Sequence, residues 1–532
     1  MSRWKPAGLG CLLLLVAAAA GLAQAQAARP DAVRDKVRAY RAAHEKEIVG
    51  ELADLLALPN VATRVADVER NADHLTAMLE RRGFAVKRLS AGPGTPPALY
   101  GDLHVPGAKR TLMFYAHYDG QPVDQKGWLS DPFKPVLRSG PLGAPLGKGI
   151  ESREIDLKSA LSAKSGPLDP EWRIYARSAS DDKAPIVAIL TALDALRASG
   201  LQPSVNVKLF LEGEEEQGSH HLGTILRSNA ELLAADAWML CDGPVHPSRR
   251  MQIYFGARGV AGLELTVYGP IRPLHSGHYG NWAPNPAVEL AHLIAELRDE
   301  EGRILIPGFY DDVRPLTVTE KQAIALMPPV EAALEEELGL GRTEGKGARL
   351  QDRLMDPALN VRGLRAAEVG EGAANAIPTE AQVSIDFRLV PDQTPQKVKD
   401  KVEAFLKARG WHLVEEAPDR ETLRAFPKVA RVSWSLDYAA HRTDMTLPVS
   451  KAVVAAAEKA VGGPVIQVPM LGGSVPMSTF TDILKAPMIG TPMVNHDNNQ
   501  HGINENLRLQ NLWDGIEVYA ELMADLGSAL DQ

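Results

Sequence analysis

The chain has 532 residues, enough for two to four domains at roughly 150 residues each. Apolar residues make up 45%, charged residues 23% and aromatics 5%, which excludes a disordered, collagen-like or coiled-coil chain. Lys and Arg total 58 against 67 Asp and Glu, a net charge of −9 that argues against the basic face of a nucleic-acid binder, and two cysteines, Cys11 and Cys241, exclude a disulfide scaffold.

Residues 1–27 read as an export signal. Arg3 and Lys5 form a positive start, residues 12–20 are apolar, and Ala23-Gln24-Ala25 or Ala25-Gln26-Ala27 offers a small-residue cleavage site. The apolar run is about 15 residues, short of the roughly 20 that a spanning helix needs. The expectation is an exported protein, periplasmic or secreted, with no stable membrane span after cleavage. It would keep only Cys241 and so have no internal disulfide.

Beyond the signal, Pro30-Asp31 starts a helix predicted over residues 31–58. Residues 109–116 are a buried strand. The Gly-, Pro-, Ser- and Lys-rich stretch 140–170 reads as a long surface insertion that could rim the active site or be a mobile surface loop, the loop being the favoured reading. A helix is predicted over 182–199, with strands over 205–211 and 235–241. Strands alternating with helices give an α/β sheet covered on both faces. After about residue 252 the style changes: strand 261–268, helix 286–298, strand 382–390 and helix 395–409 form a small, mostly antiparallel α+β unit. From 449 the first style returns, with a helix to 461, strands near 465 and 488, and a last helix over 507–526. The expected organisation is a catalytic domain of residues 28–252 and 447–532, interrupted by an inserted unit of residues 253–446.

The chemistry-bearing residues follow the predicted strands. In His117-Tyr118-Asp119 the imidazole and carboxylate are two apart, so both face one side of an extended chain. They suit a metal ligand with its orienting carboxylate, or a solvated pair in a turn. Asp181-Asp182 opens a helix, where one acid could serve as a cap and leave the other spare. Glu214-Glu215-Glu216 stands at a strand end, where ligands bind in α/β sheets and where a cation would offset the repulsion. Asp242 follows another strand. His496 and His501 lie in a polar loop, and either could be solvated. Together these His and carboxylate groups suit a two-zinc hydrolytic centre.

The stretches AHYDGQP (116–122), RSASDDKAP (177–185), EGEEEQGS (212–219), CDGP (241–244), LHSGHYG (274–280), IDFRLVP (385–391), GGSVP (472–476) and QHGINENL (500–507) resemble, in order and spacing, the carnosinase, aminoacylase and glutamate carboxypeptidase group of dizinc hydrolases, metallopeptidase family twenty. The resemblance implies a mixed-sheet α/β catalytic domain interrupted by an α+β lid that dimerises. It implies one metal on His117, Asp181 and Asp242 and a second on Asp181, Glu216 and His501, with Asp181 bridging. Glu215 would be the general base and Asp119 would orient His117. His275 would reach the partner subunit's site in a homodimer, and Arg388 and Ser474 would hold the substrate carboxylate. Two Zn²⁺ are implied; cobalt or manganese also suits such ligands. Met470-Leu471 stands where carnosinase-like members carry Arg-Glu, which allows a more apolar substrate. Ala176, Ser178 and Ala184 stand where glycines are common. The leading expectation is a dipeptidase or short-peptide exopeptidase; the alternative is an amidohydrolase acting on N-acyl amino acids. A non-catalytic binding protein is disfavoured, because so many acids clustered without a metal would be costly.

Overall fold

The structure, a computed structural model, describes residues 32–124, 126–142 and 152–531. The expected signal, residues 1–27, and residues 143–151 of the 140–170 stretch lie outside the described residues.

The strand Arg110–His117 explains the larger sheet. Its sequence, RTLMFYAH, is an almost unbroken apolar run, and from Leu112 onward every residue is buried. That pattern requires cover on both faces. Leu112, Phe114 and Ala116 enter one core, while Met113 and Tyr115 enter another on the opposite face. The first core is filled by the helices Ala32–Leu56, Lys183–Ala198, Pro448–Val461 and Leu509–Leu530. The second is closed by Leu222–Ser228 and Met477–Leu484. Each buried Leu or Phe contributes about 1.5–3 kcal/mol through area removed from water.

Among the described residues this sheet has eight strands, in the order Ala85–Leu89, Ala98–Leu103, Val205–Glu212, Arg110–His117, Ala237–Leu240, Met488–Gly490, Gln252–Tyr254, Ile466–Val468. Val205–Glu212, Arg110–His117, Ala237–Leu240 and Met488–Gly490 run parallel, while antiparallel pairings flank them. The mixed sheet with helices on both faces is as expected.

A second sheet is built on Gly256–Tyr268, paired with Glu380–Leu389 on one side and Val429–Tyr438 on the other. One face packs on the helices Pro286–Leu297 and Pro395–Ala408 around Leu263, Leu290, Phe387 and Phe405. The strand Ala358–Arg365 forms its edge and is largely exposed. The strand Leu471–Ser474 also pairs with Gly256–Tyr268, so the C-terminal segment touches this sheet too.

A third, four-stranded sheet orders Asn506–Arg508, Arg173–Tyr175, Val136–Arg138 and Glu154–Ile155. It corrects two expectations. The last helix begins at Leu509, because residues 506–508 pair as a strand. The described parts of 140–170 are not a loose loop: Glu154–Ile155 pairs in the sheet, and Asp156 caps a short helix. The stretch also docks on the helix Ala32–Leu56. The Lys46 ammonium donates to the carbonyls of Ser162 (3.0 Å) and Ser165 (2.7 Å), and the Leu168 N–H donates to Glu45.

Candidate active site

Three parallel strands end at one edge, which is where open α/β sheets bind ligands. His117 ends one strand, Glu212 ends its neighbour, and Asp242 lies two residues past Leu240 on the third. The small sheet supplies the rest, because pairing Arg173–Tyr175 with Asn506–Arg508 places Asp181 beside the loop that carries His501.

His117 Nε2 lies 2.9 Å from Asp181 Oδ1, and its Nδ1 lies 3.3 Å from Asp119 Oδ1. His501 Nε2 lies 3.0 Å from Asp181 Oδ2 and 3.5 Å from Glu216 Oε2. Two sets of ligand-type atoms each fall within 4.8 Å of one another: His117, Asp181 and Asp242, and Asp181, Glu216 and His501. Asp181 belongs to both. Mixed imidazole and carboxylate donors around one shared carboxylate fit a pair of divalent cations.

The electrostatics agree. Burial pushes Asp242 up to about 6, with Asp181 adding to the rise. Burial likewise holds Glu215 and Glu216 well above the usual range, aided by the neighbouring carboxylates. Burial opposes the charge on Asp181 too, but hydrogen bonds from His117 and His501 outweigh it and hold this carboxyl far below its ordinary value. The pocket thus has more acid than its own histidines can neutralise, and a bound cation would relieve the excess.

Asp119 faces His117, and it also accepts from the backbone N–H of Glu215 (3.2 Å) and Glu216 (2.9 Å). The three consecutive glutamates separate in role. Glu214 pairs with His221 away from the clusters, while Glu215 and Glu216 turn toward them. Asp182 does not cap its helix through a side-chain hydrogen bond; its carboxylate accepts from the His117 N–H instead. His496 joins neither cluster.

A cavity of about 430 Å³ opens over the clusters, lined by Asp181, Glu215, Asp242, Arg388, Ser474 and His501 among others. Arg388 Nη1 donates to Ser474 Oγ at 2.7 Å, and its Nε donates to Asp386. Leu471 lines the cavity, whereas Met470 is fully buried in the core. His275 is exposed at a helix start, its Nδ1 accepting from Gly277 N–H, and it is not among the residues lining this cavity. Cys241 is buried beside Thr491 and offers no ligand atom to either cluster.

Two contributions escaped the sequence reading. Gln121 donates to Glu216 Oε2 at 2.8 Å. Tyr254 donates to the Asp242 carbonyl at 2.7 Å, its ring lying against Gly490, where a Cβ would come within about 2.1 Å of it. Gln121 lies inside a quoted motif. Tyr254 carried no signal, because its partner is a backbone carbonyl.

Residues 159–525 match the profile of Peptidase family M20/M25/M40. The chain belongs to this family. As a member it is a metal-dependent peptidase. It is 27% identical over 483 residues to the Cys-Gly metallodipeptidase dug1 of Schizosaccharomyces pombe, covering 90% of this chain and 92% of the relative. It is 26% identical over 527 residues to the beta-Ala-His dipeptidase of Homo sapiens, covering 93% of each. Among solved structures, an M20 family metallo-carboxypeptidase, Sso-CP2 of Sulfolobus solfataricus, superposes with a TM-score of 0.73 at 28% identity, covering 91% of this chain and 99% of that one.

These relatives overturn one expectation. The exported, periplasmic or secreted location read from residues 1–27 finds no support in dipeptidases that match about nine-tenths of the chain, and it is withdrawn. No helix among the described residues is long and apolar enough to cross a membrane.

Proposed function

We propose that the chain is a dizinc dipeptidase that hydrolyses the amide bond of dipeptides or other short peptides. The observation that carries this is the shared carboxylate: Asp181 stands in both ligand triads, and Glu215 lines the same cavity. His117, Asp181 and Asp242 would hold one ion, and Asp181, Glu216 and His501 the other. When bound, such a pair lowers the pKa of a shared water toward neutrality.

Glu215 takes a proton from the attacking water and returns it to the leaving amine. Asp119 orients His117 and fixes the backbone of Glu215 and Glu216 through the contacts above. Arg388 and Ser474, already hydrogen-bonded to each other, receive the substrate carboxylate, a geometry in which guanidinium groups excel. Residues 253–446 act as a lid that dimerises, and His275 reaches into the partner's cleft to steady the developing oxyanion. The exposure of His275 supports this, as does the uncovered edge strand with Leu364 at 62% exposure. The dipeptide class rests on the relatives, which cleave Cys-Gly and beta-Ala-His by their names.

The test is a hydrolysis panel of L-dipeptides, tripeptides and N-acetyl amino acids with the zinc-loaded protein, with and without chelator. Chelator-sensitive cleavage of free-amine dipeptides is expected; cleavage of N-acyl substrates alone would replace the peptidase reading with an amidohydrolase. Glu215→Gln is expected to keep two metals per chain and lose about 10²–10⁴-fold in kcat, the span of general acid–base catalysis. Full activity in that variant would remove Glu215 from the mechanism.

A further inference from the structure

One fully buried carboxylate beneath the centre is not a ligand in either triad. Glu505 is 0% exposed and lies four residues after His501. Its Oε1 accepts from the N–H groups of Ser180 (2.9 Å) and Asp181 (3.0 Å). Its Oε2 accepts from the Ser178 N–H (3.0 Å) and from Arg177 Nη1 (2.8 Å). Arg177, 1% exposed, uses its other terminal nitrogen on the carbonyl of Pro122, on the loop that leaves His117. The pair therefore joins three loops that are far apart in sequence, those leaving His117, carrying Asp181 and carrying His501.

We propose that Glu505 is a positioning residue for the metal centre: its carboxylate fixes the backbone of residues 178–181, and so the shared ligand Asp181, to the loop that bears His501. The inference rests on the dizinc reading of the site. The physical reason is donor count. Three backbone N–H groups and one guanidinium converge on two oxygens, and only a carboxylate offers four acceptor positions with no donor. Each bond is charge-assisted and strong in a dry site. Glutamine at 505 would turn an N–H₂ toward groups that are themselves donors. The loop would shift, and Asp181 would move relative to both triads at once. Such supporting contacts hold ligands in register before any ion arrives.

The predicted outcome for Glu505→Gln is a loss of about 10–100-fold in affinity for both metals, the usual effect of removing a group that orients ligands. It is read by zinc titration against a chromophoric chelator on the full-length folded protein. A purely structural role would lower the thermal midpoint of the metal-free protein and leave the affinity of the folded fraction alone. The double variant Arg177→Met/Glu505→Gln separates the two, because it also removes the unpaired buried charge. Under the proposal its metal-free thermal midpoint recovers while its zinc affinity stays at least tenfold low. Recovery of affinity to the parent value would overturn the proposal.

If the single variant does not fold, hydrogen exchange on the metal-free parent protein decides. The amides of Ser178, Ser180 and Asp181 should be protected without zinc, and exchange at free-loop rates would overturn the proposal. A parent protein that binds no zinc but protects these amides would instead refute the dizinc reading and leave the clamp standing.

Discussion

Loading the cleft with a divalent cation has to displace protons, and the structure says roughly how many. Burial disfavours charge on His117, but hydrogen bonds with Asp119 and Asp181 prevail and hold its pKa well above the ordinary value. An imidazole with a carboxylate near each nitrogen, at 3.3 and 2.9 Å, is favoured in its doubly protonated form. His501 is raised chiefly by its hydrogen bond with Asp181, against burial. Each ring must lose a proton before it can offer a lone pair to a metal. Asp242, pushed up to about 6 by burial, adds about half a proton at pH 6. Glu216, held well above its ordinary range by burial, must ionise as well, so release of at least two protons per pair of ions is expected at pH 6, and apparent affinity should rise at least about 100-fold per pH unit there and flatten as the raised pKa values are passed. Calorimetric titration with zinc in buffers of different ionisation enthalpy reads the number directly. Release of less than about half a proton at pH 6 would mean neutral rings, and would refute the picture of histidines clamped between carboxylates.

Three further perturbations test other parts of the molecule. Asp119→Asn, which puts an amide against the Glu215 and Glu216 N–H groups and His117, should weaken zinc binding about 10–100-fold by competition titration, and unchanged affinity would count against its role. Gly490→Ala should destabilise the fold by at least about 1–3 kcal/mol in urea unfolding, because the Tyr254 ring occupies the space of the new methyl; a neutral result would show that the strand gives way easily. Burial pushes the Asp514 carboxyl up to about 6, with Glu517 adding to the rise. A carboxyl raised in the folded state contributes stability that is complete below about pH 4 and lost as pH climbs through about 6. Asp514→Asn, which mimics the protonated form, should therefore raise the thermal midpoint at pH 7.5 and do little at pH 4; an equal gain at both would exclude the titration.

The larger sheet was legible where strands are buried on both faces. Residues 109–116 are an apolar run and residues 205–211 alternate before turning apolar, and both patterns can be noticed without knowing a partner. The strands Ala85–Leu89 and Ala98–Leu103 went unread: the first is largely exposed and mixes Lys and Arg with Ala, Val and Leu, and the second is broken by Gly101 and Asp102. The helix Val318–Leu326 did carry a start signal, the Thr317–Glu320 capping box, but it lies in a long segment with weak periodicity. The candidate metal triads were legible because strand ends and polar loops mark ligand positions and the motifs recur in a known order. Glu505 was not, although it sits inside a quoted motif. Its work is done on backbone N–H groups more than 300 residues away, and no local spacing reveals such partners.

The order of strands in the larger sheet has a consequence for how such an enzyme comes into being. Met488–Gly490 lies between Ala237–Leu240 and Gln252–Tyr254, and Asn506–Arg508 closes the small sheet behind Asp181. A chain emerging from the ribosome therefore has a gap in the middle of its main sheet, and an unfinished candidate metal site, until residues 488–508 have been made. A peptidase assembled in this way cannot cut before those residues have been made. The segment that fills this gap also carries His501, so the candidate metal site and the sheets are completed together.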